Sequence, residues 1–146
     1  MPREARLKSR SGIYHILLRG INRQTIFQED EDCEKFLQCV GESRELSGFT
    51  LYAYSLMGNH VHLLLQEDVE PLEQIFRRIG ARYVFWYNWE YRRSGPLFQD
   101  RYRSEAIEDG EQFAAALRHI YRNPVRAGLC ASPAEYPWGS CRLPGE

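Results

Sequence analysis

Apolar positions along this chain follow two rhythms, and the switches between them predict its elements. Ile13 to Leu18 is a short apolar run closed by Arg19-Gly20, which predicts a buried first strand. Asn22 to Phe27 has no such rhythm and reads as a loop. The acidic residues Glu29, Asp30, Glu31, Asp32 and Glu34 then open a helix, because carboxylates favour the positive end of the helix dipole. Phe36, Leu37, Val40 and Leu46 give that helix an apolar stripe at steps near 3.6, and Gly48 ends it. Phe49 to Leu56 is rich in aromatic and β-favouring residues and predicts a second strand. Met57-Gly58-Asn59 reads as a turn into a third apolar strand that runs to Leu65, making a hairpin.

Pro71 suits the first turn of a long second helix, along which Leu72, Ile75, Phe76, Ile79, Tyr83, Trp86 and Tyr87 keep three- and four-residue steps. Arg92 to Pro96 breaks the pattern, and Arg101 to Ile107 predicts a fourth strand. Asp109 precedes a third helix carrying Phe113, Ala114, Leu117 and Ile120, expected to run to Asn123 and stop at Pro124. The order strand, helix, strand, strand, helix, strand, helix implies an α+β fold. The expectation is a ferredoxin-like (RRM-like) antiparallel sheet with its helices packed on one face. The whole chain, 1–146, reads as one domain, with residues 1–12 a basic, flexible arm and 130–146 a tail wrapping the surface.

Within the third strand lies His60-Val61-His62. Side chains two apart on a strand point the same way, roughly 6.5 Å apart along it, so both imidazoles can face one cation while Val61 packs on the other side. A half-exposed strand face gives the same spacing, and a catalytic metal usually has three protein ligands, so a third partner must be found.

Composition narrows the function. At 43% hydrophobic and 13% aromatic residues, the chain can bury a core. No apolar run approaches the ~20 residues of a membrane span, and the polar start, Met1 to Arg10, does not resemble a secretory signal. Cys33, Cys39, Cys130 and Cys141 form no Cys-x-x-Cys pair and read as reduced thiols of a cytoplasmic protein. The net charge of −1 conceals segregation: residues 1–23 carry six bases against the single acid Glu4, and arginines crowd positions 77–126. The planar fork of arginine donates two hydrogen bonds at once to phosphate. A solvated surface would also look basic, but segregation favours a groove for nucleic acid. Candidates for DNA contact are Arg19, Asn22, Arg23, Arg77, Arg78, Arg82, Arg101, Arg103, Arg118 and Arg122. Tyr83, Trp86 and Tyr87 could stack on bases, although their helical spacing suits a core better.

Several segments, in order, resemble the REP-associated tyrosine transposases, a branch of the single-tyrosine HUH superfamily acting on single-stranded DNA. They are Arg19-Gly20-Ile21-Asn22-Arg23 with Phe27, Met57 to His62, Tyr87-Asn88, Ser94 to Gln99 with Arg101-Tyr102, Asn123 to Leu129, and Glu135-Tyr136-Pro137-Trp138. The resemblance implies that His60, His62 and the amide of Asn123 hold Mg²⁺ or Mn²⁺, which polarises a phosphate. It further implies that a tyrosine of the last helix attacks phosphorus, leaving a 5′-phosphotyrosine that a 3′-hydroxyl later reseals. Palindromic-repeat hairpins are the implied substrate, and a monomer or homodimer the implied assembly.

The chain departs from that pattern at one place. The slot four residues before Asn123, where relatives carry the tyrosine, holds His119, and the tyrosine stands at Tyr121. On a helix His119 and Asn123 share a face, whereas Tyr121 lies about 200° from His119. Three readings stay open. Tyr121 is the nucleophile, with His119 a further ligand; or His119 blocks nicking and the protein is a hairpin-binding module; or His119 itself attacks. Asn123 could also cap the helix before Pro124, and Asn59 reads as a turn residue rather than a ligand. A hydrolytic metalloenzyme is disfavoured because the sequence offers no acidic base near the histidine pair.

Overall fold

A computed structural model describes residues 8–99 and 101–141. Four strands, β1 (Ile13–Arg19), β2 (Thr50–Met57), β3 (His60–Gln66) and β4 (Arg103–Ile107), alternate with helices α1 (Asp30–Ser47), α2 (Leu72–Glu90) and α3 (Gly110–Arg126). The sheet order is β2-β3-β1-β4 with every neighbouring pair antiparallel, which is the ferredoxin-like arrangement expected from the sequence.

Strand alternation sorts the side chains onto two faces. Tyr14, Ile16 and Leu18 of β1 and Val61, Leu63 and Leu65 of β3 point into one core with Phe36 and Val40 of α1 and Ile75, Ile79 and Tyr83 of α2. Leu64, Ala53 and Ile107 point the other way, into a smaller cluster with Ala116 and Ile120 of α3. Only α1 and α2 therefore share a face; α3 covers the opposite one. The sequence expectation of helices on one face fails here because β3 is apolar on both sides, leaving Leu64 in need of its own cover.

Local chemistry explains the helix ends. Asp32 and Glu29 form a reciprocal capping box at the start of α1, and Gly48 closes it at φ 72, a conformation that favours glycine. Leu46, assigned above to the apolar stripe of α1, is instead 59% exposed, since at ~100° per residue it lies about 120° round the helix from Val40. Asp109 caps α3 through Gln112 N. That helix does not stop at Pro124 but runs on to Arg126; the proline falls near the end, where Ala127 N to Asn123 O and Leu129 N to Pro124 O close the last turn. Asn123 is thus inside the helix, and it is not the cap.

Residues 138–140 run along the sheet, and residues 142–146 of the expected tail lie outside the described ones. Leu56 N bonds Trp138 O and Ser140 N bonds Tyr54 O, covering the β2 edge. At the other end, residues 9–11 are tied down: Ser9 Oγ and the backbone amides of Arg10 and Ser11 donate to the Glu108 carboxylate. The expected flexible arm is therefore anchored from residue 9; its first seven residues lie outside the described ones.

Candidate metal and nucleic-acid site

On the α3 face of the sheet, beyond the Leu64 cluster, the side chains turn polar and open a cleft of about 770 Å³. β1 supplies His15, Leu17 and Arg19, β3 supplies His60 and His62, and α3 supplies His119 and Asn123. The far wall is Arg101 to Glu105 at the β4 edge. The register makes this unavoidable. Arg19 pairs with His60 and Leu17 with His62, so all odd residues of β1 share a face with the even residues of β3.

The histidine pair and the end of α3 do converge. His60 Nε2 lies 3.2 Å from Asn123 Oδ1, and the rings of His60 and His62 are 5.2 Å apart. His60 Nδ1 lies 2.8 Å from Asn59 Oδ1. With Nδ1–H donating to Asn59, Nε2 and Asn123 Oδ1 face each other as two lone pairs, and a cation satisfies that arrangement. His62 is 4% exposed, and its Nδ1 lies 3.0 Å from His15 Nε2. Burial holds the pKa of His60 below its usual value. Burial, and then the neighbouring His15, push that of His62 down to about 3; burial, and then His119, push His15 down to about 4. All three are therefore neutral at physiological pH, as metal ligation requires. Among the described residues, no three His, Cys, Asp or Glu side chains could hold an ion by themselves. The fit to a divalent ion thus depends on the Asn123 oxygen: two imidazole nitrogens and one amide oxygen make three donors, with the remaining positions left for water or phosphate.

α3 turns His119, not Tyr121, to the cleft. The His119 ring stands 5.2 Å from His62 and 5.7 Å from His15. Tyr121 packs against the Leu64 and Ile120 cluster, beside Ile13, Phe113 and Leu117. Tyr121, the expected nucleophile, is not among the cleft-lining residues: two positions on from His119, the helix turns it to another face.

Of the arginines, Arg19, Arg101 and Arg103 line the cleft. Asn22 and Arg23 are exposed just beyond β1, in a turn where both take positive φ, 53° and 60°. Arg118 and Arg122 are exposed on α3, outside the cleft lining. Arg77, Arg78 and Arg82 sit on α2, across the sheet, where Arg78 grips Glu70 and Arg82 pairs with Glu42, each at 2.7 Å. Tyr83 and Tyr87 are fully buried and donate to Ile26 O and Thr25 O, so they serve the core. Sequence reasoning missed His15 and Glu105, which only strand pairing brings to the histidines; His15 and Glu105 are register partners. Glu105 stands on the far wall of the cleft, on β4, two strands from the pair.

Residues 8–122 match the family described as IS200-like transposases. The chain belongs to that family. No curated protein sequence matches it significantly. Among solved structures, this IS200-like protein is similar to a REP-associated tyrosine transposase bound to a REP hairpin, at TM-score 0.82 and 16% identity, covering 96% of this chain and 82% of the other. It is also similar to a candidate transposase from Deinococcus radiodurans R1, at TM-score 0.56 and 14% identity, covering 82% and 95%. At those identities the likeness concerns the fold.

Proposed function

We propose that this IS200-like protein grips hairpin or single-stranded DNA of the palindromic-repeat kind in the basic cleft, beside a divalent ion, without forming a tyrosine adduct. The observation that carries this reading is the face α3 presents: His119 and Asn123 look into the cleft while Tyr121 is packed against the sheet. His60, His62 and Asn123 are the residues that would hold Mg²⁺ or Mn²⁺. Such an ion polarises and orients the phosphate it touches. Arg19, Arg101 and Arg103 neutralise backbone phosphates, and Asn22 and Arg23 extend the contact past the end of β1. Membership of a transposase family supports DNA as the partner, and a fold neighbour carrying a REP hairpin supports a hairpin as its form.

The family match favours a second reading, in which Tyr121 nicks the strand and a 5′-phosphotyrosine is later resealed. It requires α3 to turn by about 160°, stripping Tyr121 and Ile120 from the core they occupy. One experiment separates the two. A labelled hairpin is incubated with the protein and Mn²⁺, and analysed on native and denaturing gels. The first reading gives a native complex, no adduct that survives denaturation, and unchanged binding for Tyr121→Phe. An adduct that Tyr121→Phe abolishes would sink it in favour of the second.

A further inference from the structure

His15 takes no part in the ligand set above, yet it touches one member of it directly. It lies on β1, two residues from Leu17, the register partner of His62, so its side chain reaches His62 diagonally across the strand pair on the same face. The contact is a hydrogen bond of 3.0 Å between His15 Nε2 and His62 Nδ1. We infer that His15 is a positioning residue that fixes the tautomer and ring angle of His62, leaving His62 Nε2 as the atom offered to a divalent cation. The inference rests on the metal reading of the cleft.

The chemistry follows from what imidazole can do. A neutral ring has one N–H and one lone pair, so tying Nδ1–H of His62 to an acceptor commits the lone pair to Nε2. With His62 as the donor, His15 Nε2 at 3.0 Å is that acceptor, and the His15 proton then sits on its own Nδ1. Asn59 does the same for His60 through Nδ1, so both histidines of the pair are oriented the same way, by partners from different elements. Without His15 the His62 ring, almost wholly shielded from water, keeps its place but loses the bond that selects its tautomer. Removing an orienting partner of this kind typically costs about 10–100-fold in metal affinity.

The test is a titration of the metal-free full chain with Mn²⁺ alone, followed by the electron paramagnetic resonance signal of free Mn²⁺, for wild type, His15→Leu, His15→Gln and His15→Asn. Leu removes the acceptor, Gln can return an oxygen near the position of Nε2, and Asn is too short to reach. The expected result is Mn²⁺ affinity reduced about 10–100-fold in His15→Leu and His15→Asn, with His15→Gln within a few-fold of wild type. Thermal unfolding without metal is expected to rank the variants differently, since Asn and Gln differ little in the apo protein. Wild-type affinity in His15→Asn or His15→Leu overturns the inference while leaving the metal reading intact. A wild-type chain that binds the hairpin but shows no saturable Mn²⁺ site overturns both.

Discussion

At the scale of single residues, the buried imidazoles make the protein sensitive to acid. In the unfolded chain His15 and His62 titrate near 6.5, while in the folded protein they do so near 4 and 3. Between those limits the unfolded state binds more protons, so their contribution to stability is full above pH 6.5 and is lost as pH falls toward about 4 for His15 and about 3 for His62. Tm measured without metal is expected to decline from pH 7 to pH 5, and His62→Leu to flatten that decline. A Tm indifferent to pH over this range would contradict the burial of neutral histidines. Gly20 is a second sensitive point, for steric reasons alone. A Cβ there would collide with the backbone oxygen of Gln24, and the Gly20 amide donates to Asn59 O, tying the end of β1 to the turn before His60. Gly20→Ala is expected to cost about 1–3 kcal/mol in urea unfolding, as overpacked sites do.

At the scale of elements, the face of α3 decides the chemistry. Its wheel places Ala116 and Ile120 against the sheet, with Tyr121 packed at the edge of that cluster, and turns His119 and Asn123 to the cleft. A phenol at position 119 would enter the cleft without any movement of the helix. His119→Tyr is therefore expected to produce a hairpin adduct that survives denaturation in the presence of Mn²⁺, where wild type produces none. An inert His119→Tyr that still binds the hairpin would show that more than the nucleophile is missing. The start of α1 has a comparable dependence on one side chain. Buried Asp32 accepts from the amides of Gln28 and Glu29 and from Tyr91 Oη, so Asp32→Ala is expected to lower stability by about 2 kcal/mol in denaturant titration.

At the scale of the whole molecule, charge is arranged rather than abundant. With a net charge of −1, the chain has no bulk field to draw DNA, so affinity depends on where the arginines stand. Arg19, Arg101 and Arg103 face the cleft from two strand ends, while Arg77 lies across the sheet on α2. Hairpin affinity is expected to fall with salt, each phosphate contact adding about 0.7–0.9 to the log–log slope. Arg19→Ala and Arg103→Ala should each reduce that slope by roughly one contact, and Arg77→Ala should leave it unchanged; equal effects from all three would place the DNA elsewhere.

The chain alone determined its elements, because hydrophobic period, capping carboxylates and turn residues such as Gly48 act over a few positions. It also determined that His60 and His62 share a strand face, since alternation is a local rule. Which face of the sheet α3 covers, and hence that His119 rather than Tyr121 meets the pair, was decided by the packing of Ala116 and Ile120 on Ala53 and Leu64. His15 and Glu105 became part of the site through strand register, and Arg82 was drawn to Glu42 by the packing of α2 on α1. Those relations join residues tens of positions apart, and only the folded backbone fixes the distances between them.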